Sequence, residues 1–238
     1  MAGSRQHYSP MTEKEYWRDY DIIRNDVHAA MVACYTERTI HHTTDLETLE
    51  KMNRTPDFWN VTSFSLHNTL FIVLARILDS GDNVHSVFKL LNATTAHPEF
   101  FSRNALRARK LSIRGSAPNL PYLDEYVQNV FVPTVQDLRE LKKALAPHKS
   151  KFDAIYKPIR NQIAHIILKD KTLIADLYSK TLMTDIDEIL CFLHTLIRSI
   201  WYLAFNGTKP DLSGDRYGYA GRVKEITEEA DRFMQGLP

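Results

Sequence analysis

Arg160, Asn161 and His165 carry the clearest chemistry in this chain. They stand in the run Tyr156-Lys157-Pro158-Ile159-Arg160-Asn161-Gln162-Ile163-Ala164-His165. A histidine exchanges a proton near neutral pH. An arginine stays charged and grips phosphate oxygens with a fork of donors. At this spacing the two supply what RNA cleavage needs, a proton carrier and a fixed cation. A solvated polar helix face carries the same residue types, so spacing alone leaves both readings open.

The flanking residues indicate the element that holds them. Phe152, Ile155, Tyr156, Ile159, Ile163, Ile166 and Ile167 recur at three- and four-residue spacing, the stripe of an amphipathic helix. Ser150 with Asp153 predicts a capping box at its start. At about 100° per residue, Asn161 and His165 are neighbours opposite the stripe and Arg160 sits at its edge, about 80° from its centre. Pro158 inside the pattern predicts a kink or a helix start.

The rest of the chain reads as helices. Only 8 of 238 residues are Gly, four of them between 207 and 221, which leaves the remainder suited to long helices. Thr12 and Glu15 open a helix running to about residue 36. A short helix follows over 45–53, then one from Pro56 to Leu78. Ser80-Gly81-Asp82 breaks it and Asp82 caps the next, about 83–95. Pro98 starts another to about 112, and 115–121 is a loop. Residues 129–135 form a connector because Pro133 argues against a strand. Helices are expected over 134–145, 150–168 and 173–205, with Asn206-Gly207 as a stop, and a last charged helix over 222–235. The expected organisation is a loose tail over 1–11, one helical bundle over 12–207, and a loop with a helix packed back on it over 208–238. With no strand ladder, the fold class is all-α.

The motif run resembles the signature of HEPN domains: Arg, four to six residues, then His, often with a polar residue after the Arg. Phe71-Ile72-Val73-Leu74-Ala75-Arg76-Ile77-Leu78-Asp79, followed by His85-Ser86-Val87-Phe88-Lys89-Leu90-Leu91, adds a second block. Together they resemble the abortive-infection HEPN-like family of the AbiU type over about residues 12–205. The resemblance implies a HEPN-like bundle that forms a homodimer, with two Arg-His pairs facing each other in a cleft. It implies that His165 acts as general base on a ribose 2′-OH, or as general acid toward the 5′-oxygen. Arg160 would hold the scissile phosphate and offset charge in the transition state. Asn161 would orient the imidazole or bind RNA. The implied role is toxin-like or phage-defence RNA cleavage, with a cognate antitoxin or regulatory protein as a further partner. Ile167 stands where many HEPN toxins have a tyrosine. HEPN-like folds also serve as binding scaffolds, and that reading stays open beside the enzyme.

Other constellations bound the function. The net charge of +1 gives no global pull toward nucleic acid, so RNA contact needs a local patch. Arg103, Arg107, Lys110 and Arg114 fall at i, i+4, i+7 and i+11, a basic stripe able to track a phosphate backbone. The alternative is a face paired with carboxylates from elsewhere. Ten histidines include no Glu-x-x-His, no His-Glu-x-x-His and no Cys/His cluster, so neither metal nor cofactor is expected. Arg76 and Asp79 are expected to form an intrahelical ion pair, or else to brace the His165 region. His194 and Arg198 lie in an apolar helix, where His194 is expected to hold a backbone or carboxylate partner. Tyr217 and Tyr219 are expected to pack the glycine-rich segment onto the bundle. Cys34 and Cys191 stand alone and the first ten residues hold no apolar run, so a cytoplasmic protein is expected. Charges interrupt the long apolar runs 69–78 and 186–205, which are read as bundle helices and not membrane spans.

Overall fold

The computed structural model describes residues 11–43, 45–81, 84–113, 121–165 and 183–236, without the side chains of 113, 121 and 155–165. Among the described residues all regular structure is helical: α1 (Glu13–His42), α2 (Leu46–Asn53), α3 (Pro56–Ile77), α4 (Val87–Ala96), a 3-10 turn (Pro98–Phe101), α5 (Arg103–Ile113), α6 (Pro121–Asn129), α7 (Val135–His165), α8 (Met183–Asn206) and α9 (Tyr219–Gln235).

Local sequence sets most helix starts. The Thr12 hydroxyl accepts from the Glu15 N–H at 3.3 Å, and the Glu15 carboxylate accepts from the Thr12 N–H at 2.8 Å, as the capping pattern predicts. Asp45 caps α2, and Pro56 occupies the first turn of α3. α4 differs from expectation. It starts at Val87 with Ser86 as its cap, four residues later than predicted, and Asp82 lies outside the described residues. The Pro98 helix is split at Ser102, because the 3-10 turn buries the adjacent Phe100 and Phe101 together. α6 has no counterpart among the expected elements, and it buries Leu123 and Val127, four apart.

α7 corrects the sequence reading most. The sequence predicts two helices here, the second capped by Ser150 and Asp153. One helix runs unbroken through Pro147 and Pro158 to His165. Its capping box is at Thr134 and Asp137 instead, with the Thr134 N–H donating to Asp137 at 2.8 Å and the Asp137 N–H to the Thr134 hydroxyl at 3.2 Å. Asp153 pairs with Lys149, one turn back. A proline inside a helix removes one backbone bond and crowds the preceding turn. Here Leu138, Leu141, Leu145 and Phe152 continue one buried stripe across Pro147. Packing of that stripe outweighs the local cost, as tertiary burial usually does for helices.

The core gathers α1, α3, α4, α7 and α8 around Tyr16, Ile23, Phe71, Leu91, Leu145, Phe152 and Leu193. α8 is long and apolar enough, by length and composition, to cross a membrane. Here its Ile186, Ile189, Leu193, Leu196 and Ile200 are buried against neighbouring helices. α9 packs on α1, burying Ile226 in the main core and Met234 beside Ile40 and Trp59. Tyr219 reaches the Tyr35 hydroxyl, and Tyr217 stacks on Tyr202 with centroids 5.1 Å apart. Both tyrosines thus hold the preceding turn to the bundle.

Gly207 ends α8 and anchors the start of α7. Its φ is +60°, its N–H bonds to the Leu203 carbonyl at 3.0 Å, and the Thr208 N–H reaches the Tyr202 carbonyl at 3.2 Å. Its carbonyl accepts from the Phe131 N–H at 2.9 Å, in the connector before α7. A Cβ at residue 207 would lie 2.4 Å from the Cβ of Val130. Gly207→Ala should therefore cost about 2–4 kcal/mol in chemical denaturation, from left-handed strain plus overpacking. At Gly214 φ is also +60° but nothing lies within 4 Å, so Gly214→Ala should cost only about 1–2 kcal/mol. Equal losses at the two positions would rule out the Val130 contact as the cause.

Candidate functional site

Arg160, Asn161 and His165 occupy the last two turns of α7. Because the backbone is helical throughout, Asn161 and His165 are one turn apart, about 6 Å along the axis. Arg160 is adjacent to Asn161 and about 140° round the helix from His165. Their side chains lie outside the described residues, as do those of Ile155, Ile159 and Ile163. Ile166 and Ile167 lie outside them altogether.

The side chains just before the motif fix α7 against α8. Phe152 is buried. The Lys151 ammonium bridges Asp185 at 2.9 Å and Glu188 at 2.8 Å, and those hydrogen bonds hold its pKa above the ordinary lysine value. The His148 ring stacks on Phe192, 4.0 Å between centroids and 21° from parallel. Burial holds the His148 pKa below the usual histidine value, against the pull of Glu188, which favours the uncharged ring in this flat packing.

The basic stripe faces α6. The Arg103 guanidinium donates to the Gln128 carbonyl at 3.1 Å, and Arg107 pairs with Asp124 at 2.9 Å. Lys110 reaches the Asn206 side chain at 3.1 Å and lies over the Tyr126 ring. Arg114 lies outside the described residues. Arg103 and Arg107 remain exposed. The neighbouring Arg109 is different, being buried among Glu13, the Phe100 and Ala204 carbonyls and two aromatic rings.

Arg76 corrects another expectation. Its partner is Asp26 on α1 and not Asp79. The guanidinium makes a two-pronged pair, Nε to Oδ2 at 2.7 Å and Nη2 to Oδ1 at 2.5 Å. Asp79 instead accepts from the Gly81 N–H at 2.8 Å, forming the turn after α3. His85 and Lys89 converge on Asp19, two turns before Asp26 on α1, at 3.2 and 3.9 Å. A fork to an acid on another helix is a better fit for a guanidinium than a single contact along its own helix. These acidic partners escaped the sequence reading. The available signal was that Asp19 and Asp26, seven apart, flank the apolar stripe of α1 on one edge, where an unpaired buried carboxylate would be costly.

His194 donates from Nε2 to the Tyr217 carbonyl at 3.2 Å, the backbone partner expected of it. Among the described residues no three His, Cys, Asp or Glu side chains converge as a metal site.

The HEPN_AbiU2 family model, described as AbiU2, matches residues 7–226. The chain belongs to the HEPN_AbiU2 family. No curated protein and no solved structure matches it. The matched span includes the whole of α7, and with it the Arg160–His165 motif of this HEPN chain.

Proposed function

We propose that this HEPN_AbiU2 protein is a metal-independent endoribonuclease of toxin or phage-defence type. It acts as a cytoplasmic homodimer with the Arg160 and His165 pairs of two copies facing one cleft. The observation that carries the reading is the motif itself: Arg160-Asn161 and His165 on one unbroken helix inside the family-matched span. His165 takes the proton from a ribose 2′-OH, or returns one to the departing 5′-oxygen. Arg160 neutralises charge gathering on the phosphate, and Asn161, one turn from His165, orients the imidazole. The 2′-OH is the nucleophile, so no metal is required and the product ends in a 2′,3′-cyclic phosphate. A cognate antitoxin or other regulatory protein fits the same biology.

The test is RNA cleavage by the purified protein in excess EDTA, with end-group analysis of the fragments. Undiminished cleavage and cyclic-phosphate ends support the reading. No cutting of any RNA offered, or dependence on added metal, overturns it. A monomer by sedimentation at micromolar concentration would remove the two-copy cleft.

Arg103, Arg107, Lys110 and Arg114 bind the RNA backbone in this reading. Removing one cation from a phosphate should flatten the log–log dependence of RNA affinity on salt by about 0.7–0.9. Charge-removing changes at Arg103 and Arg107 that leave both affinity and slope alone would reduce the stripe to a brace for α6.

A second reading, a non-catalytic partner-binding scaffold, is favoured by one feature. Phe58, Val61 and Phe64 are exposed at three-residue spacing on α3, an apolar row on the protein surface.

A further inference from the structure

A cavity between α1, α8 and α9 gathers cations over an apolar floor. Its volume is about 270 Å3, at the small end for ligand pockets. Val27, Met31 and Ile197 form the floor. Arg24, Arg198, Arg222, His28 and His194 stand around it.

Three helices bring like charges to the lining of one space, where each cation raises the cost of the others. Arg198 has no carboxylate partner among the described residues. Its guanidinium lies over the Trp201 and Tyr202 rings, 5.7 and 5.3 Å from their centroids. Among the described residues, Arg24 and Arg222 form ion pairs with acids on their own helices alone, Asp21 at 3.0 Å and Glu225 at 2.6 Å. Such exposed pairs hold a guanidinium weakly. Arg222 also approaches Nε2 of His28 at 3.4 Å, a contact that needs the imidazole unprotonated.

We propose that this cavity binds a small organic phosphate. The phosphomonoester is gripped by Arg198, Arg222 and Arg24, and the apolar or flat body lies on Val27, Met31 and Ile197. Convergence on one compact space suits a terminal phosphate. A nucleic-acid backbone calls for cations spread along a track, as on α5. The inference is independent of RNA cleavage, and its test reads binding.

The site also couples binding to protons. Burial and the Arg222 charge hold His28 below the usual histidine pKa, against Glu229; Arg24 stands on its own helix. Burial, Arg198 and Arg222 hold His194 low, against the Tyr217 carbonyl and Asp215. A bound phosphate favours both imidazolium forms and raises both pKa values. Affinity should therefore rise as pH falls from about 8 to about 6.5, while the phosphate stays largely dianionic.

The experiment is isothermal titration of the full chain with AMP, adenosine, inorganic phosphate, and a short RNA lacking terminal phosphates. AMP should bind, adenosine should not, and AMP affinity should climb toward pH 6.5. Arg222→Gln, at a half-exposed position that should spare the fold, should weaken AMP by about tenfold. Arg198→Gln should do so at least as strongly. No AMP binding, unchanged affinity in both variants, or indifference to pH overturns the proposal. Displacement of AMP by the unphosphorylated RNA also overturns it, because the site would then take backbone phosphodiesters.

Discussion

Replacing His165 by Ala should lower RNA cleavage by about 10²–10⁴-fold, the range for loss of a general acid or base. Arg160→Ala should lower it by about 10²–10³-fold, as for removal of a fixed charge at a transition state. Two steps link residue to effect. Attack by a 2′-OH needs a proton carrier with a pKa near neutrality, which histidine supplies and alanine cannot. Charge building on the phosphate needs a cation that cannot deprotonate, and Arg160 is the nearest such group in sequence. His165 lies opposite the apolar stripe of α7 and Arg160 at its edge, so neither forms the stripe itself and the melting temperature should stay within about 3 °C. Single-turnover cleavage with a scanning-calorimetry control separates the two effects. If His165→Ala cuts RNA as fast as the parent, the enzyme reading gives way to the scaffold. If the variant unfolds, residue 165 is structural and the assignment of His165 as proton carrier is wrong.

The largest stability effect is expected at Arg109. Its Nη2 donates to the Phe100 and Ala204 carbonyls, each at 2.8 Å, its Nη1 pairs with Glu13, and Trp17 and Phe205 lie against the guanidinium. Ala204 is in the last turn of α8, where carbonyls lack partners and a cation complements the helix dipole. One side chain thus joins the start of α1, the 3-10 turn and the end of α8. Arg109→Ala removes the shared donor of two carbonyls and the cation beside the Glu13 carboxylate, which keeps only the Trp17 indole N–H at 3.2 Å among its described donors. The expected loss is about 3–5 kcal/mol, a fall of roughly 10 °C in melting temperature for a chain of this size. Arg109→Lys should recover only part of it, since an ammonium cannot serve three directions with a planar fork. Arg107→Ala, two residues away and exposed, should cost less than about 0.5 kcal/mol. An Arg109→Ala loss no larger than that of Arg107→Ala would mean that water replaces the fork without penalty.

What is legible in the sequence follows the range of the interactions concerned. The α1 cap, the Asp45–Asn53 region, the Pro56 start and the Gly207 stop are set by residues within a turn of one another, and the sequence shows them. The continuity of α7 is hidden. Pro147 and Ser150 argue locally for a break, while the Leu138–Phe152 stripe that overrides them acts through packing against other helices. Spacing pairs Arg76 with its neighbour Asp79, because the true partner, Asp26, is fifty positions away. The Arg109 fork reaches Ala204, ninety-five positions off. The candidate site shows the same division. Its motif and its one-turn register are legible in the sequence. The Lys151 bridge to Asp185 and Glu188 depends on how α7 and α8 meet, and no spacing rule contains it.

That bridge gives α7 the mechanics of a lever. The helix is about 46 Å long at 1.5 Å per residue; the Gly207–Phe131 contact lies at its start, its buried stripe runs to Phe152, and Lys151 ties its middle to α8. Beyond Lys151 the arm to His165 is fourteen residues, about 21 Å. Tilting that arm by about 5° about its fulcrum moves the His165 Cα by about 2 Å. Misplacing a reacting group by about 1 Å can cost about a hundredfold in rate. If His165 is the proton carrier proposed above, the aim of the tip depends in part on two carboxylates of another helix. Weakening that fulcrum detunes the tip without touching it.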